Sequence, residues 1–167
     1  MKGQPVPMRT LIPALLALTL PASAALAQPL VAASPVPVEH VATGTFEVKA
    51  TPSPGAAPDQ AIGTLTLDKS FTGDLTAKSV GVMLGVQTET PGSAGYVAME
   101  QVTGTLNGKQ GSFILQHSGS MQGGSMTMNV AVVPDSGTQE LKGIAGRMEI
   151  RIEGGTHHYR FVYTLPE

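Results

Sequence analysis

Polar and apolar positions alternate with period two along most of the chain, from Val41 almost to the C-terminus. Such alternation marks strands with one face buried. In residues 41–49, Phe46 and Val48 oppose Glu47 and Lys49. In residues 62–69, Leu65 and Leu67 oppose Thr64, Thr66 and Asp68. The pattern predicts a longer, weaker strand over 73–84, then strands over 96–106, 111–119, 125–133, 144–153 and 156–165. The alternation is cleanest in 144–153. Ile144, Met148, Ile150 and Ile152 form one face there, and Arg147, Glu149, Arg151 and Glu153 form the other, a solvated stripe suited to cross-strand ion pairs.

Turn signals separate these runs. Residues 51–55 and Pro91-Gly92 read as loops, and Asn107-Gly108 is a strong hairpin signal because a two-residue primed turn needs positive φ. Gly123-Gly124 and Gly154-Gly155 read as further tight turns, and residues 134–137 stop a strand. About eight strands joined mostly by short turns fit a sandwich or a barrel. A closed antiparallel barrel is the better solution, because about eight strands close around a filled interior and closure removes exposed edges. The sequence lacks the Trp that lipocalin-type barrels carry in their first strand.

The N-terminus follows a different pattern. Lys2 and Arg9 precede an uncharged apolar run over 11–20, and Ala25-Leu26-Ala27 is a small-x-small cleavage site. Residues 1–27 therefore read as a secretory signal peptide, too short in its apolar run for a comfortable membrane span. No Cys follows for lipid attachment. Residues 28–40 read as an extended Pro/Ala-rich lead-in, and 41–167 as the barrel domain. The protein is expected to be exported, periplasmic or secreted, with no membrane association after cleavage.

Composition narrows the function classes. With 41% hydrophobic and 13% charged residues the chain is a folding sequence, and with 4% aromatics its core must rely on aliphatic side chains and Met. Losing Lys2 and Arg9 leaves the mature domain acidic, which argues against nucleic acid or anionic lipid as partners. There are no cysteines, so the domain folds without disulfides.

The Asn107-Gly108 turn fixes a register. Leu106 pairs with Lys109, which sets Phe113 opposite Val102, Leu115 opposite Glu100 and His117 opposite Ala98. Phe113 and Leu115 are apolar, so this face points inward. It carries Glu100, His117 and Tyr96 with it. Glu100 and His117 become diagonal neighbours in the lumen. A carboxylate beside an imidazole can move a proton near neutral pH, and it can equally satisfy a buried polar spot. Tyr96 adds a hydroxyl. Phe113, Leu115, Met126 and Met128 are the expected apolar contacts for a ligand, Met being adaptable in shape. Leu75, Ala77, Ser79, Gly81 and Met83 share one face of their strand, and their small side chains leave room inside.

Other motifs are empty of chemistry. His157 and His158 are adjacent strand residues and point to opposite faces, so they do not share a metal. There is no Gly-x-Ser-x-Gly elbow, and no helix or Lys follows the Gly-rich stretch 119–124. No cofactor or metal is expected.

The runs Thr43-Gly44-Thr45-Phe46-Glu47-Val48, Gly95-Tyr96-Val97-Ala98-Met99-Glu100, Gln116-His117-Ser118-Gly119 and Pro134-Asp135-Ser136-Gly137 resemble an uncharacterised bacterial family catalogued as a domain of unknown function. The likeness covers residues 41–165. It implies an eight-stranded antiparallel barrel similar to allene oxide cyclase, a group whose plant cyclases and dirigent-type members guide reactions of apolar ligands. It implies no activity, and none of that group's functional residues can be matched here.

Three functions stay open from sequence: a barrel binding a small, largely apolar molecule, an isomerase or cyclase using Glu100 and His117, and a packed structural or interaction barrel. Outward-facing Val80, Val82 and Val133 suggest a homo-oligomer interface.

Overall fold

The computed structural model of the protein describes residues 37–53 and 61–166. The expected signal peptide and most of the expected lead-in lie outside the described residues. The strands are β1 (Glu39–Pro52), β2 (Gly63–Gly73), β3 (Leu75–Gln87), β4 (Ala94–Leu106), β5 (Lys109–Gln122), β6 (Ser125–Val132), β7 (Ala145–Glu153) and β8 (Thr156–Thr164). They form a closed barrel in chain order, every neighbouring pair antiparallel and β1 pairing with β8.

The strand edges differ slightly from the pattern reading. Glu39 and His40, expected in the lead-in, pair with Thr164 and Tyr163 and start β1. Gly73, expected to open a strand, ends β2 instead. Its φ of 103° turns the chain, and a Cβ there would strike the β1 backbone. Asp74 then stands between the strands and accepts the Thr43 N–H at 2.8 Å. Asn107 and Gly108 take φ of 46° and 83°, as the hairpin requires, and Leu106 pairs with Lys109.

Among the described residues, the barrel is packed at one end and open at the other. All four Phe and two of the three Tyr lie in the packed half. Phe113 stacks on Phe161 at 5.6 Å and Phe161 on Tyr163 at 5.3 Å. Tyr159 lies across Gly44, its cross-strand partner, where a Cβ would collide with the phenol. Its hydroxyl accepts the Leu75 N–H at 2.9 Å. Each large side chain buried here contributes roughly 1.5–3 kcal/mol.

The segment between β6 and β7 closes this end. Pro134 cannot continue the ladder. The chain instead runs beside β5, where Thr138 N–H donates to Ser112 O at 2.9 Å and Gln110 N–H donates to Glu140 Oε2 at 2.7 Å. A short 3-10 turn, Gln139–Leu141, then sets Leu141 against the core with Ile144. Val133, expected to face outward at an interface, is half-buried here, its N–H donating to Ile114 O at 2.9 Å.

Candidate functional site

Midway along the barrel the inward faces of β2 to β5 place a polar cluster inside an otherwise apolar wall. Glu100 on β4 is fully buried. Lys69 Nζ on β2 lies 2.6 Å from Glu100 Oε2, and Ser79 Oγ on β3 donates to Glu100 Oε1 at 2.5 Å. His117 Nε2 on β5 stands 2.9 Å from Glu100 Oε2. The contact is close enough for the ring to act on the carboxylate, but the N–H is poorly aimed, and Nε2 has no well-formed hydrogen bond. Opposite Glu100 on β3 is Gly81, where a Cβ would crowd the Met99 carbonyl and the Glu100 Cα and Cβ.

Burial alone would raise the Glu100 pKa. His117, the charge and hydrogen bond of Lys69, and the Ser79 hydroxyl outweigh it and lower the pKa to about 2. Glu100 is therefore ionised, with Lys69 compensating its charge. The Lys69 ammonium also lies 4.9 Å from the centre of the Phe46 ring, a favourable cation–π distance.

Glu100 and His117 thus meet in the lumen, as their register predicts. The pair belongs to a larger group, and that changes its chemistry. A carboxylate held at such a low pKa by three partners is a poor base near neutral pH. Sequence reasoning missed Lys69, although the signal was present: Lys69 has the same period-two parity as Leu65 and Leu67. It placed Ser79 inside without identifying its partner, since Ser79 is a diagonal neighbour of Glu100 only once the β3–β4 register is known.

Above this cluster the barrel opens into a cavity of about 450 Å³, walled by Leu65, Met83, Val86, Tyr96, Met121 and Met126 among others. Its wall is almost wholly apolar. Glycines at positions 63, 85, 95 and 119 widen it. Tyr96 lies flat over Gly119, its partner on β5, where a Cβ would collide with the ring. Burial raises the Tyr96 pKa, and the negative charge of Glu100 adds to this. Glu100, Lys69, Ser79 and His117 do not line this cavity.

The other expected contacts separate. Tyr96 and Met126 are on the cavity wall. Phe113 and Leu115 are not, because their rungs fall in the packed half, where each is fully enclosed. Met128 lies against the core beside a groove of about 540 Å³ between β6 and β7. Met126 borders this groove too and is 54% exposed, a rim residue rather than an interior one.

Residues 42–163 match the family model described as "Protein of unknown function (DUF3224)". A crystal structure of a protein with unknown function from that family, from Shewanella oneidensis MR-1, is 46% identical to this chain. The two superpose with a TM-score of 0.72 over 78% of this chain and 100% of the other. No curated protein matches the chain. With the family match running from the first strand of the barrel to the last and the same domain solved in a bacterial relative, the chain belongs to the DUF3224 family.

Proposed function

We propose that this protein is an exported binding barrel that holds a small, largely apolar molecule in its open end. The observation that carries this reading is the apolar cavity of about 450 Å³, within the ~300–1,000 Å³ typical of small-molecule sites. Met83, Met121 and Met126 give it an adaptable wall, and the Tyr96 hydroxyl gives it one polar handle. The ion-paired cluster lies deeper in the barrel and does not line the cavity. The signal peptide read in residues 1–27 sets this role outside the cytoplasm. Native mass spectrometry of the mature protein purified from its producing cells tests the reading. A removable small-molecule mass supports it. A bare protein that also fails to bind an apolar fluorophore such as N-phenylnaphthylamine refutes it.

A second observation favours self-association. The outer faces of β3 and β4 expose Val80, Val82, Leu84, Val97 and Met99, with Val82 opposite Met99 and Leu84 opposite Val97. Uncharged Thr64, Thr66, Gln116 and Ser118 flank the central rungs of this surface, and Asp68 and Gln101 flank Val80 at its edge. Exposed apolar patches of this kind mark interaction sites. A patch uncharged on its central rungs suits a second copy, because two-fold pairing sets the apolar surface against itself.

A further inference from the structure

The wall of the barrel is weak at one seam. β6 and β7 share a single ladder rung, Ala131 with Arg147, whereas β7 and β8 pair along the whole of β7. Beyond that rung the facing edges of β6 and β7 have no ladder partners among the described residues. Unpaired backbone groups of this kind need water or another partner.

The groove of about 540 Å³ lies along this seam. Its sides come from the apolar period-two positions of both strands: Met126, Met128 and Val130 on β6, and Met148, Ile150 and Ile152 on β7. Extending the Ala131–Arg147 register sets Met128 opposite Ile150 and Met126 opposite Ile152. The lower end is tied by Arg147 Nη1 donating to Asn129 Oδ1 at 2.8 Å. The upper end is loose, with Met126 54% and Ile152 60% exposed. Met126 also lines the open-end cavity, so the groove and the cavity meet at that residue.

We infer that the seam is a side slot of the binding site, and that the ligand class is a flexible alkyl or acyl chain with one part in the open end and its tail between β6 and β7. This rests on the open-end site proposed above and specifies its ligand. The shape argues for a chain. A compact ring system fits the open cavity alone, whereas a groove with apolar sides that meets it at Met126 is filled only by something long and flexible. The apolar sides reward burial of each methylene. Asn129, Arg147 and Glu149 at the groove keep its outer lip polar.

The test is displacement of N-phenylnaphthylamine by hexadecanol, hexadecanoic acid and pyrene, the last a rigid ring system with the same carbon count. The wild-type protein is expected to bind the two chain compounds about tenfold or more tighter than pyrene. Ile150→Trp fills the slot and should abolish that preference while pyrene and the fluorophore bind as before. Met128→Trp fills it from the opposite lip and decides the matter if the first variant melts early. Equal binding of pyrene and the chain compounds, or a preference kept in a folded slot variant, overturns the slot and leaves the open-end site standing. Failure of the wild-type protein to bind the fluorophore or any competitor overturns both.

Discussion

Lys69 and Glu100 form an ion pair with Nζ to Oε2 at 2.6 Å, inside the barrel and almost completely shielded from water. Such a pair is costly to bury and more costly to break. Glu100→Gln leaves the Lys69 ammonium without its counter-charge and should destabilise the fold by roughly 3–5 kcal/mol. Lys69→Met strands the carboxylate and should cost a similar amount. The double variant, Lys69→Met with Glu100→Gln, should recover most of the loss, because no uncompensated charge remains. Denaturant unfolding of the four proteins measures this. Additive losses in the double variant would show that the two groups are not coupled.

The same pair makes stability depend on acid. The Glu100 pKa is lowered from 4.5 to about 2 in the folded protein. A carboxyl with a depressed folded pKa binds its proton more readily when unfolded. Its stabilising contribution is therefore complete above pH 4.5 and is lost as pH falls from there towards 2. Linkage makes the loss about 3 kcal/mol across that window. Melting temperatures from neutral pH down to the acid limit should fall more steeply in the wild-type protein than in Glu100→Gln. Parallel curves would assign the acid sensitivity to other carboxylates.

The difference between Glu100–His117, which sequence reveals, and Lys69, which it left unnoticed, has a physical origin. A two-residue turn fixes the register of its own hairpin, so the β4–β5 face follows from the Asn107-Gly108 signal alone. The β2–β3 pairing turns instead on Gly73 and Asp74, where no such dipeptide announces the register. The depth of each rung is also hidden. Phe113 and Tyr96 share an inward face, yet Phe113 lies against Phe161 in the packed half and Tyr96 lines the cavity. Period two tells inside from outside and says nothing about which end of a barrel is filled. The open seam was equally hidden, because β6 and β7 each alternate well and only their mutual pairing fails.

The open-end cavity depends on the Tyr96 ring lying over Gly119. Gly119→Ala puts a methyl group where that ring sits and should push Tyr96 into the cavity. Met83→Trp fills the cavity from the neighbouring strand β3. Both variants should weaken N-phenylnaphthylamine binding about tenfold or more. Leu115→Val, a change in the packed half, should lower stability by about 1 kcal/mol and leave binding alone. Fluorescence titration beside thermal melts separates the two effects. If Leu115→Val weakened binding as much as Met83→Trp, the ligand would belong in the packed half instead.

The outer face of β3 and β4 gives the prediction about assembly. Val82 and Met99 are cross-strand partners, 52% and 51% exposed, near the middle of the apolar patch. A lysine at either position is harmless to a solvated monomer, since exposed substitutions usually change stability by less than about 0.5 kcal/mol. In a two-fold dimer the same lysine is buried against its own copy and against an apolar surface, where an unpaired charge is strongly disfavoured. The wild-type protein should therefore sediment with twice the chain mass at tens of micromolar. Val82→Lys and Met99→Lys should sediment as monomers with unchanged melting temperature at low concentration. A monomeric wild-type protein at high concentration would remove the second copy as the occupant of this face. A dimer that survives both substitutions would move the interface elsewhere on the barrel.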